Sequence, residues 1–572
     1  MAELTAARRY AAFKWEGRSL FYTAILAILI LLVLYPLGLL LFNSFVVTAP
    51  GGGKALGFGN WALAWSQPGM VDAIANTFKV VLVSQIIIFP IGILVTWLLA
   101  RTDIPGKPWL DFFIWVAFFL PSLPLLLGWI MLLDPNFGLL NQLLVSVFGF
   151  AQGPFNIYSF WGIIFCHVVG RHVSAMYIFL APAFRNMDSS LEEASRVSGR
   201  GALGTLLRIV MPVMTPAILV TFIILLIHAL ETFEIERVLG PPINFYVFST
   251  KIYQLVNDTE PSFGAAMVLG MTILLFMAPL ILFQQYLGGK RSYTTVTGHF
   301  KANMTRLRAM RVPAFILVLG FCLFITVLPL IFLLMGTFMS LFGFFNIERV
   351  WTLQHWQKLL GDPILLSSLW NTLKLAGGTA AIGMLFYALL AYISVRTKYR
   401  ARGALDFLTW IPATIPGIIL GLGMLWMFLG TPVFRPLYGT VFVLIIALLI
   451  NSMTTGVQLI KSNMVQLGNE LEEASAVAGG SWLYTLRRVV MPILAPVLLS
   501  VGTLTFISAS RNVANIAMLV TNDNRPLAML QLDYMVDGRS EVAAIVGIFV
   551  VVLTIGVAIV ARLVGKRAGI HV

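Results

Sequence analysis

Charged residues are scarce in this sequence: Asp, Glu, Lys and Arg make up 11% of the 572 residues, whereas 59% are hydrophobic. A soluble globular chain carries about 25% charged residues, so the composition excludes an ordinary soluble domain. Uncharged runs such as 20–46 exceed the roughly 20 residues that a helix needs to cross a bilayer. These runs are continuously apolar, unlike the alternating strands of a membrane barrel. The sequence therefore predicts an all-α polytopic membrane protein.

Cysteine and catalytic motifs are also scarce. Cys166 and Cys322 both lie in apolar runs, which favours two small buried side chains over a disulfide or a ligand role. His167, His172 and His228 have no carboxylate at ligand spacing along the chain, so we interpret them as core histidines. No phosphate-binding loop of the type G-x-x-x-x-G-K-[ST] occurs. The sequence predicts no enzyme activity, no metal site and no cofactor bound by this chain.

The apolar runs predict about 12 transmembrane helices. They lie at approximately 20–46, 72–100, 109–133, 158–183, 210–231, 263–287, 312–341, 368–395, 405–429, 438–460, 490–509 and 542–562. If the N-terminus is cytoplasmic, most of the 38 Lys and Arg fall in cytoplasmic segments, as the positive-inside rule requires. The first run is too long for a cleaved signal peptide. The net charge of +14 thus indicates orientation, with both termini cytoplasmic, and no nucleic-acid partner.

The chain contains an internal repeat that covers most of its length. The phrase LEEASRVSG at 191–199 returns as LEEASAVAG at 471–479. Three further pairs recur: RIVMPVMTPAIL (208–219) with RVVMPILAPVLL (488–499), NTFK (76–79) with NTLK (371–374), and Arg101-Thr102 with Arg396-Thr397. Both copies have the same orientation, which predicts two parallel six-helix repeats. We place them at 1–289 and 312–572, joined by the basic cytoplasmic linker 290–311.

The repeated phrase is predicted to form a short cytoplasmic helix in each repeat. Ser189 precedes Glu192 by three residues and Asn469 precedes Glu472 by three, the spacing of a capping box or a near relative of one. The next glutamate of each copy is then free to face outward. Apolar residues follow at helical spacing: Leu191, Ala194 and Val197 in the first copy, and Leu471, Ala474 and Val477 in the second.

The ends of these segments are also marked. Gly199 and Gly479 are placed to end the helices in the left-handed conformation. Pro212 and Pro492 are placed to open the next span. A loop kept only for topology would not require the same spacing twice, so we interpret the segments as a functional surface.

This spacing resembles the signature loop of the permease subunits of binding-protein-dependent ABC importers. The pattern runs from Glu193-Ala194-Ser195 through Gly199 to Pro212 in the first copy, and from Glu473-Ala474-Ser475 through Gly479 to Pro492 in the second. It departs from the family where Ser replaces the second Ala and Met precedes the Pro.

The resemblance implies the type I ABC importer permease fold in a bacterial inner membrane. Loops 185–209 and 464–489 would form coupling helices that dock on two copies of an ABC ATPase subunit, which would bind ATP and Mg. A periplasmic substrate-binding protein would be the second partner. The residues implied in coupling are Glu192, Glu193, Ala194, Gly199, Glu472, Glu473, Ala474 and Gly479.

The fused architecture resembles the ferric-iron permeases within this family. Segment 232–253 contains that group's Phe-Glu, aliphatic-Gly-Pro and Phe-x-Thr-x-x-Tyr elements, but has Glu236 where many relatives have Pro. Ferric iron is the expected cargo, with thiamine, polyamines and phosphonates as alternatives. A secondary transporter of the major facilitator type is the alternative class, although the loop ARTDIPGKPW lacks that fold's signature.

Four polar residues of the predicted spans are candidates for the substrate path or gate. Arg171 lies in mid-span, where a charge is costly and should face the interior or a cavity, and its repeat mate is Asn451. Glu231 and Arg511 lie at equivalent outer ends of their spans. We hypothesise that Glu231 and Arg511 pair to close an outer gate; the alternative is two unrelated residues at the water interface.

Overall fold

The computed structural model describes residues 19–48, 53–289, 304–468 and 470–567. Helices dominate, and the strands in these ranges are one antiparallel pair, β1 (Val46–Thr48) with β2 (Lys54–Leu56). Among the described residues, ten helices are long and apolar enough to cross a membrane, or up to twelve spans if each of two bent pairs counts as one. The predicted all-α polytopic class is confirmed.

The helices of the first repeat are, in chain order, α1 (Ser19–Ser44), α2 (Gly59–Ser66), α3 (Met70–Arg101), α4 (Lys107–Phe119), α5 (Ser122–Leu133), α6 (Leu139–Phe148), α7 (Phe160–Val169), α8 (His172–Arg185), α9 (Ser190–Val197), α10 (Ala202–Thr205), α11 (Met211–Leu230), α12 (Glu234–Leu239), α13 (Phe248–Asn257) and α14 (Phe263–Gly289). A π turn, Ile30–Leu34, lies inside α1.

The helices of the second repeat are α15 (Arg311–Gly336), α16 (Gln354–Leu360), α17 (Pro363–Arg396), α18 (Arg402–Trp410), α19 (Gly417–Gly430), α20 (Val441–Val465), α21 (Glu470–Val477), α22 (Trp482–Thr485), α23 (Met491–Ser510), α24 (Leu527–Val536) and α25 (Ser540–Arg567). Short 3-10 turns occur at Pro241–Ile243, Arg308–Met310, Ile411–Thr414 and Arg435–Leu437.

The third span of each repeat is bent. Helices α4 and α5 meet at 99° and the pair that ends in α19 meets at 113°. Pro121 and Pro416 stand at the two breaks, immediately before α5 and α19. Proline interrupts the helical hydrogen-bond ladder, which explains both bends.

The helices form two compact units. Unit 1 comprises the described parts of 1–61, 367–526 and 556–572 and contains α1 together with most of α17 and α18 to α23. In unit 1, α1 packs against α19, and α20 packs against α23. The first helix of the chain therefore packs with helices of the second repeat.

Unit 2 comprises the described parts of 62–366 and 527–555. In unit 2, α3 packs against α8, and α15 packs against α4 and α5. The apolar core includes Val173, Met176 and Leu180 from α8. The first helix of the second repeat thus packs with helices of the first, so the units differ from the two consecutive repeats. The division into repeats describes the sequence and stays a prediction, and residues 290–303 of the predicted linker lie outside the described residues.

Helices α1 and α15, each of which packs with helices of the other repeat, are the exchanged helices. A glycine in the neighbouring helix allows close packing against each of them. In unit 2, a Cβ on Gly128 of α5 would lie 2.1 Å from the carbonyl oxygen of Pro329 in α15. In unit 1, a Cβ on Gly423 of α19 would lie 3.0 Å from the carbonyl oxygen of Pro36 in α1. The backbones approach so closely that no other residue type fits at Gly128 without displacement.

Candidate functional site: the repeated cytoplasmic segments

The repeated phrase folds in the same way in both copies. Each forms an eight-residue helix, α9 in unit 2 and α21 in unit 1. A single-turn helix follows, then a π turn (Leu206–Val210 and Leu486–Val490), and then the fifth span, α11 or α23, with Pro in its first turn. Short π segments are frequent at functional sites. The predicted helices and the opening prolines are confirmed.

The glycines that end these helices adopt the predicted conformation. Gly199 has φ +80° and Gly479 has φ +81°. A Cβ at either position would meet no atom within 4 Å. The need for glycine is therefore conformational rather than steric, because L side chains rarely adopt positive φ.

A hydroxyl pair closes each segment on itself. Ser195 Oγ and Thr205 Oγ1 are 2.9 Å apart, and Ser475 Oγ and Thr485 Oγ1 are 2.8 Å apart. Ser195 and Ser475 are among the positions where the sequence departs from the signature loop that it resembles. Each pair ties the short helix to the turn that leads into the fifth span, so the segment and the span are joined by a side-chain contact as well as by the chain.

The first glutamate of each copy binds an arginine from the end of the second span. In unit 2, Glu192 Oε2 lies 2.6 Å from Arg101 Nη2, and both side chains are at most 3% exposed. Arg101 Nη1 also donates to the Met187 carbonyl oxygen at 2.9 Å, and Thr305 Oγ1 donates to Glu192 at 3.3 Å. The Glu192 carboxylate therefore binds Arg101, and the predicted capping box between Ser189 and Glu192 stays a prediction.

The corresponding pair in unit 1 is more open. Arg396 Nε lies 3.3 Å from Glu472 Oε1, and the side chain of Glu472 is 22% exposed. Arg396 Nη2 also donates to the carbonyl oxygens of Met464 and Leu467, at 2.8 and 2.6 Å. Burial raises the pKa of Glu472 above its usual value, although Arg396 acts in the opposite direction. The predicted cap Asn469 lies outside the described residues.

These arginines are functional candidates that the sequence analysis did not assign. The signal was present, since Arg101-Thr102 and Arg396-Thr397 form one of the repeated pairs. Spacing along the chain could not reveal the pairing, because 91 residues separate Arg101 from Glu192.

The outer face of each short helix combines a glutamate with exposed apolar residues. Ala194, Glu473 and Ala474 are exposed and Glu193 is half-buried. Val197 and Val477 are each 90% exposed. In a globular protein, a surface helix usually turns its apolar side chains toward the core. Here they are exposed, so each short helix is a candidate interface.

The four path candidates occupy different positions in the fold. Arg171 is exposed at a break between α7 and α8, whereas Asn451 lies half-buried inside the continuous helix α20. Glu231 and Arg511 directly follow α11 and α23, in unit 2 and unit 1 respectively. Glu231 Oε2 lies 3.6 Å from His228 Nδ1. The Glu231–Arg511 gate stays a prediction.

Two of the three histidines lie beside a carboxylate, and they differ in burial. His167 is buried, as interpreted, whereas His228, near Glu231, is exposed, so its interpretation as a core histidine was wrong. His167 Nε2 lies 2.7 Å from Glu236 Oε1, and the two side chains are 3% and 0% exposed. Glu236 is 69 residues away in sequence, so a search for ligand spacing misses it. Within the described residues, no group of three or more His, Cys, Asp or Glu side chains is suited to hold a metal ion.

Comparisons with known proteins agree with the sequence pattern. Residues 383–570 match the family described as binding-protein-dependent transport system inner membrane component. The chain is 28% identical over 424 residues to the ferric transport system permease protein FbpB of Actinobacillus pleuropneumoniae, covering 73% of this chain and 60% of that protein. It is 22% identical over 488 residues to the Fe(3+)-transport system permease protein FbpB 2 of Haemophilus influenzae, covering 83% of this chain and 87% of that protein.

A solved structure gives a weaker likeness. It is a bacterial ABC transporter involved in the import of the acidic polysaccharide alginate, with a TM-score of 0.39 and 20% identity over 49% of this chain and 99% of that one. The chain spans only 60% of the length of the Actinobacillus relative. Residues 383–570 therefore match the inner-membrane components of binding-protein-dependent transport systems, and the chain as a whole resembles ferric-type permeases.

Proposed function

We propose that this chain is the permease of an ATP-driven importer in a bacterial inner membrane, with both termini cytoplasmic. It moves a solute delivered by a periplasmic binding protein by alternating access. The observation that carries the proposal is the pair of matched segments around α9 and α21. Each presents exposed apolar residues beside a glutamate, on a base anchored by a buried arginine and a hydroxyl pair.

The partners of these surfaces are two copies of an ABC ATPase subunit, one on each segment. An apolar patch with a charged rim is typical of protein–protein contacts. Ala194 and Ala474 allow close approach, while Glu193 and Glu473 meet polar or basic groups of the ATPase. ATP and Mg belong to those subunits, and this chain binds no cofactor of its own.

Ferric iron is the cargo that the relatives favour, since both permease relatives described above carry ferric or Fe(3+) transport in their names. A polyamine is the competing cargo, because the spermidine/putrescine permease PotB of Escherichia coli is 24% identical over 38% of this chain. Iron would pass as a transported ion, so the proposal requires no resident metal site.

Uptake in cells that lack the gene tests coupling and cargo together. Iron-starved cells carry either the intact chain or a Glu193→Ala, Glu473→Ala double variant at equal membrane level, with Glu348→Ala as an exposed control outside the coupling segments. We expect the intact chain and the control to restore uptake of labelled ferric iron. Uptake by the double variant should be at least tenfold lower.

Restored uptake of labelled spermidine, without uptake of iron, would show that a polyamine is the cargo. Full uptake by the double variant would contradict the coupling role, and uptake that persists without ATP but needs an ion gradient would favour a secondary transporter.

A further inference from the structure

Two spans of unit 2 are interrupted within their length. The third span breaks between α4 and α5, and the fourth breaks at Gly170 and Arg171, between α7 and α8. A broken helix leaves backbone donors and acceptors without their intrahelical partners. Such breaks persist in a membrane only where protein or a lined cavity surrounds them. Each break in unit 2 is therefore a place where neighbouring side chains determine the geometry.

The short helix α12 places one carboxylate at each break. Glu234 Oε2 accepts a hydrogen bond from the hydroxyl of Ser122, the first residue of α5. Glu236 Oε1 lies 2.7 Å from Nε2 of His167, in the last turn of α7. Helix α12 also packs against α5, α7 and α24. The two carboxylates thus join two interrupted spans through a single rigid turn.

The Glu236 contact is fully desolvated. Glu236 is 0% exposed, and within the described residues its second oxygen, Oε2, has no hydrogen-bond partner. Separating a buried pair leaves a charged or polar group without compensation, which costs far more than separating a solvated pair. Helices α7 and α12 are therefore held together whenever this pair is intact.

Helix α12 lies at one end of the span whose other end carries the proposed coupling segment. Three residues, 231–233, separate α11 from α12. At its N-terminal end, α11 continues directly from the π turn after α10, which the Ser195–Thr205 contact ties to α9. A helix of 20 residues is about 30 Å long. Helix α11 therefore connects the segment around α9 to α12.

The described part of unit 1 lacks this arrangement. The residues that follow α23, 511–516, contain no carboxylate. The side chain of Asn515 lies against Gly417, the first residue of α19, with Oδ1 2.5 Å from the position of a glycine Cβ. The fourth span of the second repeat, α20, has no break. The carboxylates and the second interruption occur together in unit 2.

We propose that Glu234 and Glu236 are positioning residues of the transport cycle: through α12 they brace the interrupted third and fourth spans of unit 2 and move them with the fifth span. The inference rests on the proposed permease function. It assigns a role to Glu236, to which the sequence pattern gave none. Removal of the brace leaves ATP hydrolysis intact and disconnects it from movement of the spans.

The test uses the complete transporter, with its ATPase and binding protein, reconstituted in vesicles. Uptake of the labelled cargo identified in the cell experiment, ferric iron or spermidine, is measured together with ATP hydrolysis. The chains compared are the intact chain, Glu236→Gln, Ser122→Ala and the exposed control Glu348→Gln. We expect Glu236→Gln to lower uptake per ATP hydrolysed at least tenfold, Ser122→Ala to lower it severalfold, and Glu348→Gln to leave it unchanged. A fourth variant exchanges the pair, with His167→Glu and Glu236→His. Recovery of at least half of the ratio in that variant supports a positioning role for the contact.

The outcomes separate this inference from the function on which it rests. An unchanged ratio in Glu236→Gln overturns the brace alone. Parallel loss of assembled complex, uptake and hydrolysis in Glu236→Gln, without recovery in the exchanged pair, shows a merely structural contact and also overturns the brace. Absence of ATP-driven uptake by the intact chain overturns the permease function and the brace with it.

Discussion

Adjacent glutamates in each repeated phrase have different surroundings. Glu192 and Glu472 turn toward the base of the segment and bind Arg101 and Arg396, whereas Glu193 is half-buried and Glu473 is exposed on the segment itself. The pattern of two consecutive glutamates therefore combines an anchor with a candidate contact residue. The anchor is stronger in unit 2, where the pair is almost fully buried and Thr305 adds a further hydrogen bond.

The two anchors differ in what their loss costs. Arg101→Met leaves Glu192 buried without a cation, so we expect the free energy of unfolding to fall by about 3–5 kcal/mol. Arg396→Met leaves a glutamate that water partly reaches, and we expect a loss of about 1–3 kcal/mol. Denaturant unfolding of the purified protein in detergent measures both. The double variant Arg101→Met, Glu192→Leu should recover much of the first loss; equal losses at the two arginines would contradict the burial argument.

The terminal glycines allow a prediction that separates conformation from space. Because Gly199 and Gly479 have positive φ and open surroundings, alanine at either position should cost about 1–2 kcal/mol through backbone strain alone. Asparagine tolerates this conformation better and should cost less than alanine despite its larger size. Thermal unfolding of the single variants checks the order. A larger loss for asparagine than for alanine would indicate that space, not φ, is limiting.

At the residue scale, the sequence predicted the local backbone conformation better than it predicted which side chains contact each other. The positive φ of Gly199 and the proline that opens α11 follow from propensities within a few residues. The partners of Glu192 and Glu236 are 91 and 69 residues away. No local pattern encodes such pairs. The core interpretation is confirmed for buried His167, but it was wrong for exposed His228.

At the scale of helices, the predicted spans agree with the structure except where helices break. Runs 109–133 and 405–429 were predicted as single spans, and the structure bends each by about a right angle, 99° and 113°. The prolines at 121 and 416 signal a break, but hydrophobicity alone does not fix its angle. The break at Arg171 has no proline to signal it. The equivalent position in the second repeat, Asn451, lies inside the continuous helix α20.

The close helix contacts at Gly128 and Gly423 differ in how much space remains. A Cβ at Gly128 would overlap the Pro329 carbonyl, at 2.1 Å, whereas a Cβ at Gly423 would be 3.0 Å from the Pro36 carbonyl. We expect Gly128→Ala to lower the unfolding temperature clearly and Gly423→Ala to lower it less, because overpacking forces backbone shifts. Gly320→Ala in α15, with no atom within 4 Å, is the control. Equal effects at all three glycines would mean that helix propensity, not packing, decides.

At the scale of the whole molecule, the packing units are not the sequence repeats. Helix α1 packs with helices of the second repeat in unit 1, and α15 packs with helices of the first repeat in unit 2. Composition and periodicity predict that a run is a buried or membrane helix, but they do not specify which neighbour it packs against. The repeat was therefore visible in the sequence, whereas the exchange of the first helices required the structure.

This exchange predicts the behaviour of a divided chain. Cutting between residues 296 and 297 yields fragments 1–296 and 297–572, each of which carries a helix that packs within the other repeat. Because an exchanged helix left alone exposes its packing surface, we expect the co-expressed fragments to co-purify and each fragment alone to accumulate poorly. As a matched control, fragments 45–296 and 346–572 lack both exchanged helices, and their co-purification should fall at least tenfold. Fragments that are each stable alone, with association unaffected by removal of α1 and α15, would contradict the exchanged packing.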